Sequence, residues 1–483
     1  MTVEELLAGL PHQLLQGALG FPCDSIVYDS RKITPGAVFV ALKGAQTDGH
    51  NHVQDAVQRG VSLVIVERQV VVPAGITVLQ VSDSRKALAM LAATFYGQPA
   101  RSLKLIGITG TNGKTSVAFL LRHLLRTANR RCGLIGTVEY DLGDRIIPAA
   151  RTTPESLELN QYLAGMVQSG CEFCVMEVSS HALKQNRIAG LKFSGTAFTN
   201  LTRDHLDYHG DMESYFATKR RLFEMKTESG EQIVNADDPF GRRLVDEFNV
   251  RTFGEAKDAA FRFTDLSLEQ RKTSFRIAGN NYTMPLIGRH NVANAAAAIG
   301  LARGIGITID ECVQALLTVE PVPGRLEPIR CGQPFAVYVD YAHTDDALKQ
   351  ALVTLREITP GKLYVVFGCG GNRDSGKRFK MGAVAAKLAD NSCITTDNPR
   401  HEEPELIAKQ IAKGCSSVTE GGWRMELDRA QAIDEILRAA VPGDTVLIAG
   451  KGHEAYQEID GVVMPFDDRE VARTVLSSIE AAH

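Results

Sequence analysis

The sequence predicts an α/β protein of three domains, with a central P-loop-type domain and a C-terminal doubly wound, Rossmann-like domain. Three observations lead there. Short apolar runs alternate with amphipathic helical stretches along nearly all 483 residues. One such run, at 103–108, meets a glycine turn and then the start of a helix. The apolar runs of the last third each end in glycine or polar residues, as parallel strands do when their carboxyl ends carry ligand loops.

In residues 1–99 the strand-like runs are VYDSR, AVFVAL, VSLVIV and TVLQV, and the helix-like runs are NHVQDAVQRG and SRKALAMLAATFYG. Gly97-Gln98-Pro99 reads as a linker. Asp29-Ser30-Arg31 follows a strand and 44–50 is a polar glycine loop; on pattern alone both read first as solvated connections, with ligand contact the less favoured alternative.

The central domain, 100–328, is built around LKLIGITGTNGKTSVAF. Leu103, Leu105, Ile106 and Ile108 make a buried parallel strand, and Gly110-Thr111-Asn112-Gly113 forces a tight turn. Lys114-Thr115-Ser116 opens a helix carrying Val117, Phe119, Leu120, Leu121, Leu124 and Leu125. Strand, glycine turn and helix N-terminus together form a phosphate cradle: backbone N–H groups point inward, Lys114 adds charge and the Thr115 hydroxyl suits Mg²⁺. The spacing is one of a shortened loop, since Ile108 occupies the position where a Walker motif has its first glycine.

A second buried strand at 173–178 ends in Glu177-Val178-Ser179-Ser180-His181, and a third at 196–201 ends in Thr202-Arg203-Asp204-His205. Lys114 with Thr115, Glu177 and His205 are therefore expected at one sheet edge. Oxygen ligands and phosphates suit Mg²⁺, and a histidine fills a further position. Glu177 reads otherwise as a helix cap or a salt-bridged carboxylate. Lys219, in MESYFATKRRLFEM, reads on pattern alone as part of a solvated face. Residues 259–286 read as short strands, and Arg289-His290-Asn291 starts an alanine-rich helix that must pack closely. Pro321, Pro323-Gly324-Arg325 and Pro328 mark the next boundary.

From 329 to 483, the strands AVYVDYAH, KLYVVFGCGG, SCITTDNPR and DTVLIAGKGHE alternate with four helical segments, a doubly wound pattern.

Composition narrows the function classes. Net charge is −4, which offers no electrostatic pull toward nucleic acid or an anionic membrane. No apolar run is long enough to span a bilayer, and MTVEELLAGL lacks a basic n-region and a long h-region, so a cytoplasmic protein is expected. The nine cysteines are odd in number and scattered; Cys171 and Cys174 form a lone C-x-x-C that reads as buried core.

GTNGKTS, MEVSSHAL, NLTRDHLDYHG, RHNVANAAAA, PGRLE, DYAHT, CGGNRDSGKR, TDNPR and AGKGHE, in this order, resemble the Mur ligases of peptidoglycan synthesis over nearly the whole chain. The resemblance implies a UDP-sugar domain (1–99), a central ATPase domain (100–328) and an amino-acid-binding domain (329–483). It implies a monomer that uses ATP to phosphorylate the free carboxylate of a UDP-N-acetylmuramoyl dipeptide, whose acyl phosphate an incoming amine attacks. By position, Gly110, Thr111, Asn112, Gly113, Lys114, Thr115 and Ser116 match ATP phosphate contacts, and Asn291, Arg325 and Asp340 the adenine and ribose side. Thr115, Glu177, His205 and Lys219 match the residues of two Mg²⁺ sites, Lys219 as a carbamylated lysine. Tyr28, Ser30 and Ala45-Gln46-Thr47 match uridine and diphosphate contacts; Thr152, Thr153, Ser179, Gln185 and Arg187 match muramoyl-peptide contacts. Arg373, Asp397, Asn398, Pro399, Arg400, Gly450 and Glu454 match the site of the added amino acid.

Arg400 in TDNPR favours meso-diaminopimelate over L-lysine, because a planar guanidinium fork suits a second carboxylate. Departures from the family pattern are Asp345 in place of a common proline, Asn372 for aspartate, Arg151 for an often neutral amide, and Ala45 for a histidine. The rival readings are an L-lysine-adding sibling, a folylpolyglutamate synthase-like ligase, and a P-loop kinase or switch, which would leave the DNPR and GKGHE loops without a role. A binding protein without catalysis would have lost Lys114, Glu177 or His205, and all three are present.

Overall fold

A computed structural model describes residues 1–44 and 47–480. The chain divides into two compact units. The first comprises Met1–Thr109, Asn129–Thr196 and Ala217–Gln232; the second comprises Gly110–Ala128, Ala197–Phe216 and Ile233 onward.

The first unit begins with β1 (Gln13–Gln16), β2 (Ile26–Val27), β3 (Val38–Val40), β4 (Leu63–Val66) and β5 (Thr77–Gln80), in sheet order β1-β5-β4-β3-β2. Alternation along these strands sends Val38, Val40, Leu63, Ile65 and Leu79 to one face, where Leu88 and Leu91 of the Ser84–Phe95 helix meet them. Phe39, Val64, Val66 and Val78 go to the other face, against Val53 and Ala56. β1 carries no strand signal in the sequence: QLLQ is exposed or half-exposed and is recruited by pairing with β5. The unit continues with β6 (Lys104–Thr109), β7 (Cys132–Ile135), β8 (Glu139–Asp141), β9 (Ile146–Pro148) and β10 (Phe173–Glu177). β6, β10 and β7 are parallel neighbours and bury almost every side chain, which explains their continuous apolar runs. Cys171 and Cys174 are buried here, Cys174 completely.

β11 runs Phe193–Phe198 rather than 196–201. The strand stops early because residues 199–202 bond to the phosphate loop instead of to a ladder. Thr199 Oγ1 donates to Asn112 O at 2.5 Å, Asn112 N donates to Asn200 Oδ1 at 2.9 Å, and Thr111 N donates to Asn200 O at 2.9 Å.

In the second unit, the end of β12 (Lys226–Asn235) pairs in parallel with β13 (Arg251–Gly254). β14 (Phe261–Leu268), β15 (Thr273–Ile277) and β16 (Asn280–Met284) then form an antiparallel meander, as 259–286 suggested. The Arg289–Gly304 helix packs on the Lys114–Thr127 helix, and its run Ala295, Ala296, Ala297, Ala298 is fully buried. The last sheet holds β17 (Glu327–Pro328), β18 (Ala336–Asp340), β19 (Leu363–Phe367), β20 (Asn391–Ile394), β21 (Trp423–Met425) and β22 (Thr445–Ala449) in the order β17-β18-β22-β19-β20-β21, parallel except at β17. It is doubly wound. Leu363, Val365 and Phe367 face the Asp345–Ile358, Gly376–Leu388 and Pro404–Ser416 helices, while Tyr364 and Val366 face Arg429–Ala439 and Asp468–Glu480. Each fully buried aliphatic side chain of this kind contributes about 1.5–3 kcal/mol. A hairpin of β23 (Tyr456–Ile459) and β24 (Val462–Pro465) completes the unit. Among the described residues, no helix is long and apolar enough to cross a membrane.

Candidate active site

The phosphate loop keeps its shape through two glycines. Gly110 has φ +146°, and a Cβ there would lie 1.9 Å from Thr199 Oγ1. Gly113 has φ +86°, and its Cβ would lie 2.6 Å from Asn294 Oδ1. No other residue type fits either place. The Lys114–Thr127 helix follows with no side-chain cap from Gly113, and a helix N-terminus attracts an anion through its N–H groups and dipole. Lys114 Nζ donates to the carbonyls of Gly110 (3.0 Å) and Thr111 (2.7 Å), and Thr115 is buried.

Beside this loop lies a cavity of about 310 Å³, lined by Asn112, Gly113, Thr115, Ser116, Arg325 and Asp340 together with Phe253, Leu326 and Ala351. Apolar walls with a phosphate cradle at one end suit a nucleoside triphosphate. Arg325 Nη2 donates to Thr115 Oγ1 at 3.2 Å, and the Leu326 N–H donates to Asp340 at 2.7 Å. Burial lifts the Asp340 pKa; the Arg325 charge opposes the rise. Asn291 stands one layer behind the wall, its Oδ1 accepting from Asn294 at 3.3 Å. Asn294 lines the cavity and was not singled out from the sequence; its alanine-rich surroundings masked it. Asn112 also donates to Asp346 at 3.2 Å, beyond any local pattern. His205 is exposed at φ +52°, 3.3 Å from Asp204. Burial works against the Asp204 charge, but His205, His343 and Lys114 outweigh it and hold the pKa low.

His290, on the cavity wall, bonds Thr354 Oγ1 at 3.2 Å, and burial lowers its pKa to about 4. The native state therefore refuses a proton that the unfolded chain accepts below pH 6.5. Stability falls as the pH drops from 6.5 through 4, by at most about 3 kcal/mol from this group. His290→Gln is expected to flatten that part of the profile. The check is urea unfolding of both proteins at pH 7, 5 and 4; equal losses on acidification would refute it.

In the first unit, Glu177 ends β10 with no exposed surface. Its carboxylate accepts from Thr137 N at 2.8 Å and Thr137 Oγ1 at 3.0 Å, and the Thr137 and Thr152 hydroxyls lie 3.0 Å apart. Thr153 Oγ1 donates to Glu177 O (2.8 Å) and accepts from Ser179 N (3.1 Å); Arg187 donates to Thr153 O (2.8 Å) and to Gln185 Oε1 (2.7 Å). Five sequence-chosen residues thus surround one strand end. Glu155 was missed. It pairs with Arg151 (2.6 Å), Arg187 (3.1 Å) and Arg85 (3.4 Å), so the unusual arginine at 151 has a carboxylate partner four residues on. Lys219, on the Met212–Arg220 helix, is buried at 1% exposure, which rules out the solvated face. Tyr28 donates to Glu158 at 2.8 Å, and Ser30 sits in a short turn capped by Asp29. Thr47 accepts a backbone bond from Gly44; Ala45 and Gln46 lie outside the described residues.

The loops after β20 and β22 meet in the second unit. Asn398 donates to Glu454 at 2.9 Å, and a Cβ on Gly450 would lie 2.9 Å from Asp397. Lys451, fully buried, donates to Asn398 at 3.2 Å and stands 3.8 Å from both Asp397 and Glu454. It was overlooked although, like Lys114, it follows a glycine beyond an apolar strand. Burial and the neighbouring Asp397 raise the Glu454 pKa, with Lys451 opposing. After Pro399, Arg400 takes φ +55°, donates to Gly371 O at 2.8 Å and approaches Glu458 at 3.3 Å. Arg373 is exposed on the loop after β19. The floor is held by Arg429, fully buried against Asp468 at 2.6 Å.

A cavity beside a glycine turn and a helix N-terminus, a buried strand-end carboxylate and a pocket of alternating charges are each features that a nucleotide-driven ligase would use. Three family models match in succession: Mur ligase family, catalytic domain, at 23–96; Mur ligase middle domain, at 108–302; and Mur ligase, glutamate ligase domain, at 324–452. The chain belongs to the Mur ligase family. It is 40% identical over 484 residues, 99% of each chain, to the UDP-N-acetylmuramoyl-L-alanyl-D-glutamate--2,6-diaminopimelate ligase of Syntrophomonas wolfei. A solved structure of a ligase of that same name aligns with a TM-score of 0.69 at 31% identity, covering 99% of both chains. The Thermotoga maritima MurF ligase, solved in complex with ADP, shares the fold at a TM-score of 0.63 and 22% identity, over 95% of this chain and 98% of that one.

Proposed function

We propose that the protein joins meso-2,6-diaminopimelate to the D-glutamate carboxylate of UDP-N-acetylmuramoyl-L-alanyl-D-glutamate, at the cost of one ATP. The observation that carries this reading is the pocket of Asp397, Asn398, Arg400, Lys451 and Glu454, which presents cations and anions together to a molecule that is zwitterionic at both ends. The full-length relatives support it.

The chemistry follows from the side chains. A carboxylate does not acylate an amine in water, so its oxygen first attacks the γ-phosphorus of ATP, releasing ADP and forming an acyl phosphate. The incoming amine, after losing a proton, attacks the acyl carbon; the C–O bond breaks and phosphate leaves. Lys114 and the helix N-terminus stabilise the charge on the transferring group. Arg325, Asp340 and Asn291 orient the nucleoside, Thr153, Ser179, Gln185 and Arg187 the dipeptide, and Tyr28, Ser30 and 45–47 the UDP portion.

Among the described residues no three His, Cys, Asp or Glu converge as a metal cage. Mg²⁺ takes much of its shell from phosphate and water, and the Thr115 hydroxyl, the Glu177 carboxylate and the His205 ring are donors of the kind it uses. We assign Lys219 to a second ion as the carbamate, formed by addition of CO₂ to its amine with loss of a proton; its burial supports a role away from the solvated face that the helix pattern alone suggests. When bound, Mg²⁺ neutralises phosphate charge. The reading takes the protein as a cytoplasmic monomer with domains at 1–99, 100–328 and 329–483, in line with the spacing of the family matches.

ATP turnover is expected to require both the dipeptide substrate and meso-diaminopimelate, and hydroxylamine should trap the acyl phosphate when the amino acid is withheld. Measurement of ADP release with each substrate omitted in turn is the check. Equal turnover without either substrate would sink the ligase reading.

A further inference from the structure

Three loops meet at Tyr341: 322–326, which carries Arg325; 340–344, after β18; and 450–454, which carries Glu454. They touch backbone to backbone. Tyr341 N donates to Gly324 O at 2.8 Å. A Cβ on Gly324 (φ +66°) would lie 2.2 Å from His453 N, and one on Gly452 (φ +54°) would lie 2.7 Å from Tyr341 Cβ. There is no slack for one loop to shift alone.

The Tyr341 side chain reaches both pockets. On one side the Arg325 guanidinium lies 4.8 Å from its ring centroid, and Arg325 in turn donates to Thr115 of the phosphate loop at 3.2 Å. On the other side its hydroxyl donates to Glu454 at 3.4 Å, a long bond, and the second oxygen of Glu454 accepts from Asn398 at 2.9 Å. The His343 and His453 rings lie tilted against the same ring, with centroids at 4.6 and 5.1 Å.

We propose that Tyr341 couples the nucleotide cavity to the amino-acid pocket, so that a ligand in either one tightens binding in the other. The identity of the two ligands rests on the function proposed above. A triphosphate on the loop draws the Arg325 guanidinium toward its charge. The Tyr341 ring follows, through its cation–π contact and the locked backbones, and its hydroxyl closes on Glu454. Tyr341 is a positioning residue, and linkage requires the effect to be reciprocal.

The test is titration calorimetry of meso-diaminopimelate into the full-length protein, with and without saturating magnesium adenylyl imidodiphosphate. In the wild type the nucleotide analogue should tighten amino-acid binding by roughly 5-fold or more. Tyr341→Phe keeps the ring under Arg325 but loses the bond to Glu454. Its coupling factor should fall below about 2-fold while its Kd for the analogue alone stays within about 2-fold of wild type. A merely structural role would weaken both ligands without changing the factor. Tyr341→Leu, which loses both arms, should show no coupling, and the phenylalanine variant decides alone if leucine unfolds the protein. Wild-type coupling in Tyr341→Phe, or a wild type indifferent to nucleotide, would overturn the inference and leave the proposed function standing. A wild type that binds the analogue but not meso-diaminopimelate in either state would overturn both.

Discussion

Lys219→Ala is expected to fold normally and to lose roughly 100- to 1,000-fold in kcat, the scale seen when one charge-stabilising group is removed from a preorganised site. The lysine is buried at 1% exposure within the Met212–Arg220 helix, with Phe216, Leu222 and Phe223 buried around it in sequence. A side chain that ends there as a carbamate supplies an anion; alanine supplies nothing and leaves a space. Short carboxylates added in solution should therefore restore part of the activity to Lys219→Ala and none to Lys219→Met, which fills the space. Steady-state kinetics with increasing acetate, alongside thermal melts of all three proteins, provide the check. Wild-type turnover in Lys219→Ala would remove Lys219 from the chemistry and leave it a structural amine.

Arg400→Ala should lower kcat/KM for meso-diaminopimelate by about 30- to several-thousand-fold, the equivalent of losing roughly 2–5 kcal/mol of a charge-paired contact. Binding of ATP and of the dipeptide should stay close to normal. Arg400 is half-buried, set at φ +55° after Pro399, and steadied by Gly371 O and Glu458. That geometry fixes the direction of the guanidinium fork, so Arg400→Lys, which keeps the charge and loses the fork, should recover only part of the loss. The comparison is kcat/KM for meso-diaminopimelate and L-lysine in wild type and both variants. A wild type that prefers L-lysine, or an unchanged preference in Arg400→Ala, would overturn the specificity assignment.

The parts of this site that are local in sequence were legible in it. The strand, glycine turn and helix around Lys114 are contiguous, and the glycines announce a backbone that no side chain would permit. Buried parallel strands appear as unbroken apolar runs, so β6 and β10 could be placed within a residue or two and β19 and β22 at their starts, while the polar C-terminal ends read with the last two lie beyond the strands. The third central strand was misplaced for an instructive reason. Thr199 and Asn200 look like its continuation, but their hydrogen bonds go to the phosphate loop some 90 residues earlier, and no periodicity records that choice.

What the sequence by itself determined is therefore the class of fold, the order of its motifs and the residue types available to the chemistry. These depend on period, turn chemistry and contiguous segments, and short-range sterics enforce them. Only the tertiary structure decided which of those residues stand together. Lys219 reads as a surface lysine until the helix is packed, and then it is among the most buried side chains in the molecule. Glu155 gains three arginines, Lys451 gains Asp397, Asn398 and Glu454, and Tyr341 comes to stand between Arg325 and Glu454. The physical reason is that burial and charge pairing are properties of neighbours in space. A lysine, a glutamate or a tyrosine has the same local preferences in either setting, and only the packing of distant segments sets what surrounds it and hence what it can do.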